Sequence, residues 1–579
     1  MASTAAPADL NTADIDEDLR AFDPTEATRF RRLKKRVSGA ILRIGGPFTK
    51  APIAFAALGL YFLGMLGLQL LLQSGGRNED AALFLHAQSL RTVYDPLNPP
   101  LAAWLAWGLE QIFGPSLLAV RLTVLLPLAL FYGALYGLAR QITEDRQMAV
   151  AGALAPAFMF QIAWYSFISL SHSTMFLLMA ACLGWVLTAL VRKASATRFL
   201  LLGVVLGLGL LAKYNFALLA LAAVLVLITT EAGRARLSDP RLLLSGLVTL
   251  ILILPHAMTV LIYNTALIGE ITSVFAAKLG TGEDTAHIVR AGSGLAELGE
   301  HGLMVLLPAA LGLLWFLPAF SAARQPLSEA QTMEIRDLLP DQARLTALLL
   351  PLVTLGLMAM ATLVFGISRF GAHHLLFLAL LFPALFAILA ERGPWPVASA
   401  GFMLLPLLGC VIIPIALSHF VLKTAADCDT KCGPVFDYAG LAQDLTTSGA
   451  TGQGEVVVLS HPSDLPLVQL RPWMPEARFT RLADPMARHM LPTDRAPAAE
   501  DEHSDECLVL WSERRDPNTR DRLFQSGIPE AGLPPFPATA ETGTIARPLL
   551  WGDRLGPPVG WMRTDTAHGP CGYGVFEPN

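Results

Sequence analysis

About eleven long apolar runs fill the stretch from residue 51 to residue 421, and they constrain the fold more than any other feature of this chain. A helix needs about 20 mostly apolar residues to cross the hydrocarbon core of a bilayer. Charged residues make up 15% of the chain, whereas soluble domains carry about 25%. The sequence therefore predicts an all-α polytopic membrane protein with about eleven transmembrane helices. They are expected at residues 51–73, 116–139, 148–166, 172–191, 198–212, 214–231, 241–263, 302–322, 345–366, 373–391 and 395–421.

The distribution of basic residues predicts which loops face the cytoplasm, because cytoplasmic loops are enriched in Lys and Arg. With the N-terminus inside, the loops that alternate onto the cytoplasmic side hold Arg140, Arg146, Arg192, Lys193, Arg198, Arg234, Arg236, Arg241, Arg324, Arg336, Arg344 and Arg392. The opposite loops hold fewer basic residues for their length. Residues 74–115 and the region from about 422 onwards are therefore predicted to be extracytoplasmic.

The first 50 residues are polar and are expected to form a cytoplasmic tail. Residues 1–28 are acidic, rich in alanine and expected to be disordered. From Arg29 to Arg43, basic residues alternate with apolar ones. This segment could lie as an amphipathic helix on an anionic membrane surface, or it could be the positive-inside anchor of the first helix. No basic patch suggests a nucleic-acid partner.

Residues 422–579 are polar, and their pattern predicts a compact α/β domain. Residues 51–421, between the N-terminal tail and this domain, are expected to form the membrane domain. Residues 438–445 favour a helix, and residues 455–459 and 507–511 favour strands. Residues 484–506 and 528–547 are rich in Pro, Asp, Glu and Thr, which is typical of loops. We expect a structural cap rather than a second catalytic domain.

Four cysteines fall in this region, at Cys428, Cys432, Cys507 and Cys571. In an extracytoplasmic domain they indicate disulfides, with three possible connectivities. A metal site is the alternative, because Cys428 and Cys432 have a spacing that metals accept. Cys507 and Cys571 lie far apart with no neighbouring cysteine, which favours disulfides.

The acidic pair Glu79-Asp80 follows the first apolar run, directly after the turn Gly75-Gly76. A carboxylate beside the membrane can act as a general base or hold a divalent metal. The alternative is that both carboxylates cap the N-terminus of the next helix, where the helix dipole favours negative charge. Asp95 is a further acidic candidate in the same loop. The turn at residues 98–100 and the tryptophans that follow predict amphipathic helices lying on the membrane.

Basic and histidine side chains at other predicted outer loops could bind a substrate anion. Lys213, followed by Tyr214, interrupts an apolar run; it could meet a phosphate or snorkel to the interface. Arg369 could bind a phosphate through two hydrogen bonds, or be an ordinary loop charge. His373 follows Arg369 in the same short turn, and His172 stands at a predicted helix start, where histidines more often cap or pack. The long loop 264–301 could be a lid or disordered.

Several of these motifs, in order and spacing, resemble one bacterial family of membrane glycosyltransferases. The motifs are residues 79–90, Asn98-Pro99-Pro100-Leu101, Phe113-Gly114 and the run from Gly207 to Tyr214. Together they resemble the dolichyl-phosphate-mannose–protein mannosyltransferase-like superfamily, and most closely its lipid A and core galacturonosyltransferases; the aminoarabinose transferases are more distant. The resemblance implies a GT-C fold over roughly residues 51–391.

The resemblance also implies a function and a location. Such enzymes transfer a sugar from a polyprenyl-phosphate donor to a lipid A or glycan acceptor on the periplasmic face of the bacterial inner membrane. The family's first-loop motif is Asp-Glu, whereas this chain has Glu79-Asp80, so the catalytic base would be Glu79 with Asp80 beside it. Lys213 matches the family's lysine near the donor phosphate, and Arg369 matches a basic position more loosely. A divalent metal held by Glu79 and Asp80 is a possible cofactor.

Two other functions are compatible with the sequence. A transporter or flippase for lipid-linked sugars would share the apolar groove and the outer cations, but it would not need the acidic pair or a large outer domain. An inactive relative acting as a binding protein would share the fold and tolerate the swapped order of Glu79 and Asp80.

Overall fold

The structure is a computed structural model, and it describes residues 24–94, 98–168, 171–263, 269, 272–273, 276–281, 285–317, 341–393, 395–428, 432–449, 455–458, 467–481, 506–513, 518–525, 540–551 and 554–565. Its helices are α1 (Pro24–Gly45), α2 (Ala51–Leu72), α3 (Asn78–His86), α4 (Leu101–Phe113), α5 (Leu117–Ile142), α6 (Arg146–Leu154), α7 (Phe160–Ala163), α8 (Ser171–Arg192), α9 (Ala196–Ala212), α10 (Phe216–Thr229), α11 (Glu231–Leu237), α12 (Leu242–Met258), α13 (His287–Gly312), α14 (Gln342–Phe365), α15 (Leu381–Ala390), α16 (Pro396–Asp427), α17 (Tyr438–Thr447) and α18 (Thr519–Gln525). Stretches of 3-10 helix lie at Gly46–Thr49, Ala155–Phe158, Tyr165–Phe167, Leu313–Phe316, Ala372–Leu380, Gly433–Val435 and Leu467–Trp473, and a π-helical turn at Thr259–Tyr263.

The prediction of a polytopic helical membrane protein is confirmed. Among the described residues, eight helices are long and apolar enough to cross a membrane, or ten if each of two bent helix pairs is one span. The pairs are Arg146–Phe158 with Phe160–Phe167, bent by 79°, and Phe216–Thr229 with Glu231–Leu237, bent by 119°. The eleventh expected span is α9, which is apolar and 17 residues long, at the short end of the range of about 17–25 residues for spanning helices.

Helix α8 forms the centre of the bundle and is buried along nearly its whole length. It packs against α5, α9 and α14. The outer helices instead expose large apolar side chains, as at Leu71 and Leu243, which are 75% and 79% exposed. A large exposed apolar surface of this kind is typical of a membrane or protein contact, so the burial pattern agrees with the membrane assignment.

The first long loop, between α2 and α5, contains the helices α3 and α4 where the sequence predicts short amphipathic helices. Gly114, with a left-handed φ of 69°, ends α4. Ser116 then caps α5 by accepting a hydrogen bond from the Ala119 N–H at 3.3 Å. These caps fix where the loop re-enters the bundle, and they place α3 and α4 at one end of it.

The C-terminal region is an α/β unit around a five-stranded mixed sheet. Its strands are β1 (Glu455–Val458), β2 (Arg478–Arg481), β3 (Glu506–Ser512), β4 (Glu541–Ile545) and β5 (Val559–Asp565). In the order β2-β1-β3-β5-β4, β1 lies parallel to β2 and β3, and β5 lies antiparallel to β3 and β4. The expectation of a loop over 528–547 is wrong for residues 541–545, because β4 pairs with β5 at the sheet edge, where polar residues are tolerated.

A disulfide closes the short segment that connects the membrane bundle to this unit. Helix α16 continues to Asp427, and Cys428 and Cys432 form a disulfide immediately after it. Cys571 lies outside the described residues. The chain then enters the 3-10 turn Gly433–Val435 and α17, whose Tyr438 is fully buried.

Candidate active site

The acidic pair lies in the first turn of α3, which begins at Asn78. The two glycines before it are required by close approach rather than by loop flexibility. A Cβ on Gly76 would stand 2.3 Å from the Asp80 Cβ, and a Cβ on Gly75 would stand 2.1 Å from Oε1 of Gln469. The turn therefore packs tightly between its own helix and the C-terminal unit.

Asp80 is fully buried and forms an ion pair with Arg121 of α5. Arg121 Nη1 donates to Asp80 Oδ2 at 2.8 Å, and Arg121 Nη2 donates to Gln73 Oε1 at 2.8 Å. The exposed fractions of the two charged side chains are 2% and 0%. Because Asp80 is already paired with a guanidinium, it is held in place and is a poor candidate for the base.

Glu79 lies at the N-terminus of α8, beside a lysine. Ser171 Oγ donates to Glu79 Oε2 at 3.3 Å, and two residues later Ser173 Oγ accepts from Lys213 Nζ at 3.0 Å. Lys213 stands in the break between α9 and α10. One helix start thus brings together a carboxylate and an ammonium group that are 134 positions apart in the sequence (213 − 79).

Further cationic and imidazole groups surround this pair. Lys278 and Lys213 both lie within electrostatic range of Glu79, and both also act on His373 and His374. The two imidazole rings lie in contact, with their centroids 4.1 Å apart and their planes tilted by 40°. The site therefore combines one partly buried carboxylate, which can accept a proton, with positive charge that suits an anionic substrate.

The environment of Glu79 favours proton uptake. Burial raises the pKa of its carboxyl above the usual range, the neighbouring Asp80 adds to that rise, and Lys213 partly offsets it. A raised pKa makes a carboxylate a stronger base, provided that the working pH stays above it.

The remaining predicted site residues have other surroundings. The Tyr214 hydroxyl hydrogen-bonds His256 Nε2 at 3.1 Å, and His256 Nδ1 bonds the Thr92 carbonyl at 2.7 Å, so this chain ties the first loop to α12. The Arg369 side chain is exposed, while its backbone N–H donates to the Leu279 carbonyl at 3.3 Å, beside Lys278.

His172 is buried, and in the sequence it lies between Ser171 and Ser173, the serines that contact Glu79 and Lys213. Asp95 lies outside the described residues.

A divalent metal at the acidic pair stays a prediction. Within the described parts of the chain, no group of three or more His, Cys, Asp or Glu side chains is arranged to hold an ion. Asp80 is committed to Arg121 and Glu79 has lysines nearby, so this donor set does not fit a divalent cation, which seeks several oxygen ligands.

The overall architecture has a solved counterpart. The chain superposes on the crystal structure of ArnT from Cupriavidus metallidurans bound to undecaprenyl phosphate, with a TM-score of 0.55 and 13% sequence identity. The superposition covers 88% of this chain and 98% of ArnT. The chain has the GT-C fold.

Sequence comparison identifies one matching family and two similar glycosyltransferases. The dolichyl-phosphate-mannose-protein mannosyltransferase family matches residues 97–258, a range that contains Arg121, Ser171 and Lys213. The lipopolysaccharide core galacturonosyltransferase RgtA of Rhizobium johnstonii is 25% identical over 531 residues, covering 88% of this chain and 97% of RgtA. RgtB, a core galacturonosyltransferase of the same organism, is 28% identical over 273 residues, 47% of this chain and 53% of RgtB. These matches confirm the resemblance to the GT-C glycosyltransferases that the sequence predicts.

Two residues of this candidate site, Arg121 and Lys278, are not indicated by the sequence analysis above. Arg121 is a lone charge inside an apolar run, and a charge within a membrane helix is itself a signal of function or of a buried partner. Lys278 lies within the predicted long loop 264–301 as one charge among several. Its own short stretch of sequence does not reveal that it lies close to Glu79.

Proposed function

We propose that this chain is a membrane glycosyltransferase that moves a sugar from a polyprenyl-phosphate donor to a lipopolysaccharide-type acceptor, with Glu79 as general base. The observation that carries the proposal is the placement of Glu79 beside Lys213 at the start of α8, with Lys278 in range. A base next to positive charge suits a reaction in which a hydroxyl loses a proton while a phosphate departs.

In the proposed step, the acceptor oxygen attacks the anomeric carbon of the donor sugar. The bond between that carbon and the phosphate oxygen breaks, and polyprenyl phosphate leaves as an anion stabilised by Lys213 and Lys278. The hydroxyl proton passes to Glu79. Because attack comes from the face opposite the leaving group, the anomeric configuration inverts.

The relatives support the choice of substrates. RgtA and RgtB are core galacturonosyltransferases, and ArnT was crystallised with undecaprenyl phosphate. We infer that the donor here is of the same polyprenyl-phosphate class and that the acceptor is lipid A or core saccharide. The site then lies on the periplasmic side of the bacterial inner membrane, with the N-terminus in the cytoplasm and the C-terminal unit in the periplasm.

Mass spectrometry of lipopolysaccharide from a strain lacking this chain tests the proposal in cells. We expect a glycoform one sugar lighter than the wild-type form, restored by the wild-type chain and by E144Q, which changes an exposed glutamate away from the site. E79Q should not restore it. An unchanged glycoform pattern in the deletion strain would contradict the proposal, and loss of many unrelated glycans together would favour the flippase.

The dependence of the rate on pH should report the charge state of Glu79. Because its pKa is raised and the base must be ionised, kcat/KM should decrease as the pH falls through that pKa, at a higher pH than an ordinary glutamate would require. K213Q removes the charge that holds the pKa down, so the acid limb should move to higher pH.

A pH series of initial rates on the purified protein measures this limb. K193Q, which neutralises an exposed lysine outside the site, is the matched control and should leave the limb in place. An acid limb that K213Q leaves unmoved would mean that Glu79 and Lys213 are not coupled in the working enzyme.

A further inference from the structure

Just before Glu79, the C-terminal unit holds the first outer loop through two hydrogen bonds between Gln469 and Gly76, which we call the clamp. The Gly76 N–H donates to Gln469 Oε1 at 2.5 Å, and Gln469 Nε2 donates back to the Gly76 carbonyl at 3.0 Å. Gln469 is fully buried and lies in the 3-10 helix Leu467–Trp473. One side-chain amide thus satisfies both backbone groups of a residue 393 positions away.

The Gln469 amide is in turn supported by the side chains of Tyr438 and Trp473. Gln469 Nε2 reaches the Tyr438 hydroxyl at 3.4 Å, and the Tyr438 ring stacks on Trp473 with centroids 6.1 Å apart. On the loop side, the Ser74 N–H donates to the Pro434 carbonyl at 2.9 Å, just after the disulfide that follows α16. Residues 74–76 are therefore fixed on both sides by the C-terminal unit.

The absence of side chains at Gly75 and Gly76 makes this contact possible. A Cβ on Gly75 would collide with the Gln469 amide, and one on Gly76 would collide with Asp80. A flexible hinge would need glycine for its conformational freedom, but neither residue has a positive φ. The glycines serve close packing, so the loop is built to meet Gln469 and not to move freely.

Two other contacts dock the same unit farther along the loop. Arg471 Nη1 donates to the Phe84 carbonyl at 2.8 Å and pairs with Glu110 Oε2 of α4 at 2.7 Å. Gln88 and the Phe479 backbone exchange two hydrogen bonds, of 2.9 and 2.8 Å. These contacts meet the C-terminal end of α3 and beyond, whereas Gln469 meets the turn that sets where α3 begins.

We propose that Gln469 is a positioning residue that orients Glu79 for the reaction; the inference rests on the function proposed above. Helix α3 starts two residues after Gly76, and each residue turns a helix by about 100°. A displacement of the Gly75-Gly76 turn would therefore redirect the first turn of α3. Asp80 would stay paired with Arg121. Glu79 is held by a hydrogen bond from Ser171, so its carboxylate is the one that would be displaced.

Steady-state kinetics of Q469A on the full-length protein test this role. We expect kcat to fall about 10- to 100-fold, the range caused by small misplacements of reacting groups, with the KM for the lipid donor unchanged because Lys213 is not touched. Q469E keeps the acceptor for the Gly76 N–H and loses the donor to the Gly76 carbonyl, so its kcat should be intermediate.

Two controls separate positioning from general docking. Q88A removes a docking contact at the far end of the loop, and Q443A changes an exposed glutamine on α17; each should keep kcat within about threefold. Q469A with a kcat near that of wild type, or no lower than that of Q88A, would overturn the inference.

Hydrogen exchange of residues 74–83 gives a readout that does not depend on activity. Q469A should exchange faster there by about tenfold or more, with α14 unchanged as an internal check of folding, and Q88A should not. If the wild-type protein transfers no sugar yet Q469A loosens this segment, the proposed function fails while the clamp stands. If transfer occurs and the exchange and kcat of Q469A and Q469E match wild type, the clamp fails alone.

Discussion

Replacing Glu79 by glutamine should lower kcat by about 10²- to 10⁴-fold, the usual contribution of a general base, while the protein stays folded and binds its donor. Glutamine keeps the shape of the side chain and can still bond Ser171, but it cannot take up the acceptor proton. Lys213 and Lys278 remain in place, so the KM for the polyprenyl donor should change little. Initial rates with a purified lipid acceptor measure both quantities.

E144Q is the matched control, since it makes the same chemical change at an exposed position away from the site. It should keep full activity. If E79Q retains more than about a tenth of the wild-type kcat, the base lies elsewhere, because a loss so small falls below the range for general-base catalysis. Asp80, paired with Arg121, would then have to be reconsidered.

Replacing Arg121 by alanine should destabilise the protein by about 3–5 kcal/mol, the cost of leaving one member of a buried ion pair without its partner. Asp80 and Gln73 would both lose their hydrogen-bond donor in a region that excludes water. We expect R121A to unfold at a clearly lower temperature in detergent micelles, with activity lost as well because α3 is no longer anchored to α5.

R140A tests the specificity of that effect on the same helix. Arg140 donates to two backbone carbonyls near the other end of α5, where its side chain is partly exposed, so both carbonyls can bond water instead and its removal should cost clearly less than the loss of Arg121. The double variant D80N/R121Q should recover part of the lost stability, since it leaves no unpaired buried charge. R121A as stable as R140A would contradict the anchoring role of the Asp80–Arg121 pair.

The membrane bundle was predictable because the bilayer imposes a simple rule on length and apolarity. That rule correctly indicates α2, α5 and α8, and it also selects α9, which is apolar but has only 17 residues. A bend inside a span escapes it, because residues 148–166 are predicted as one helix, whereas Arg146–Phe158 and Phe160–Phe167 are bent by 79° relative to each other. Hydropathy alone does not reveal such a local break.

The candidate site was predictable where a charge interrupts an apolar context, and less so elsewhere. Glu79 and Lys213 stand out for this reason, and the structure brings them to one helix start. Arg369 met the same criterion, yet its side chain is exposed, because a cation at a helix end can also face solvent. Gln469 has an ordinary local sequence, and its contact with Gly76 depends on how the C-terminal unit docks, which no short pattern encodes.

The central claim is that this chain breaks a bond between a sugar and a polyprenyl phosphate to glycosylate an acceptor with Glu79 as base. Purified protein supplied with a polyprenyl-phosphate-linked sugar and lipid A–core acceptor tests it directly, with both products quantified by mass spectrometry. We expect one polyprenyl phosphate released for each acceptor glycosylated, an inverted anomeric configuration in the product, and neither product from E79Q. Equal product formation by wild type and E79Q, or a donor that crosses a vesicle membrane without being cleaved, would contradict it.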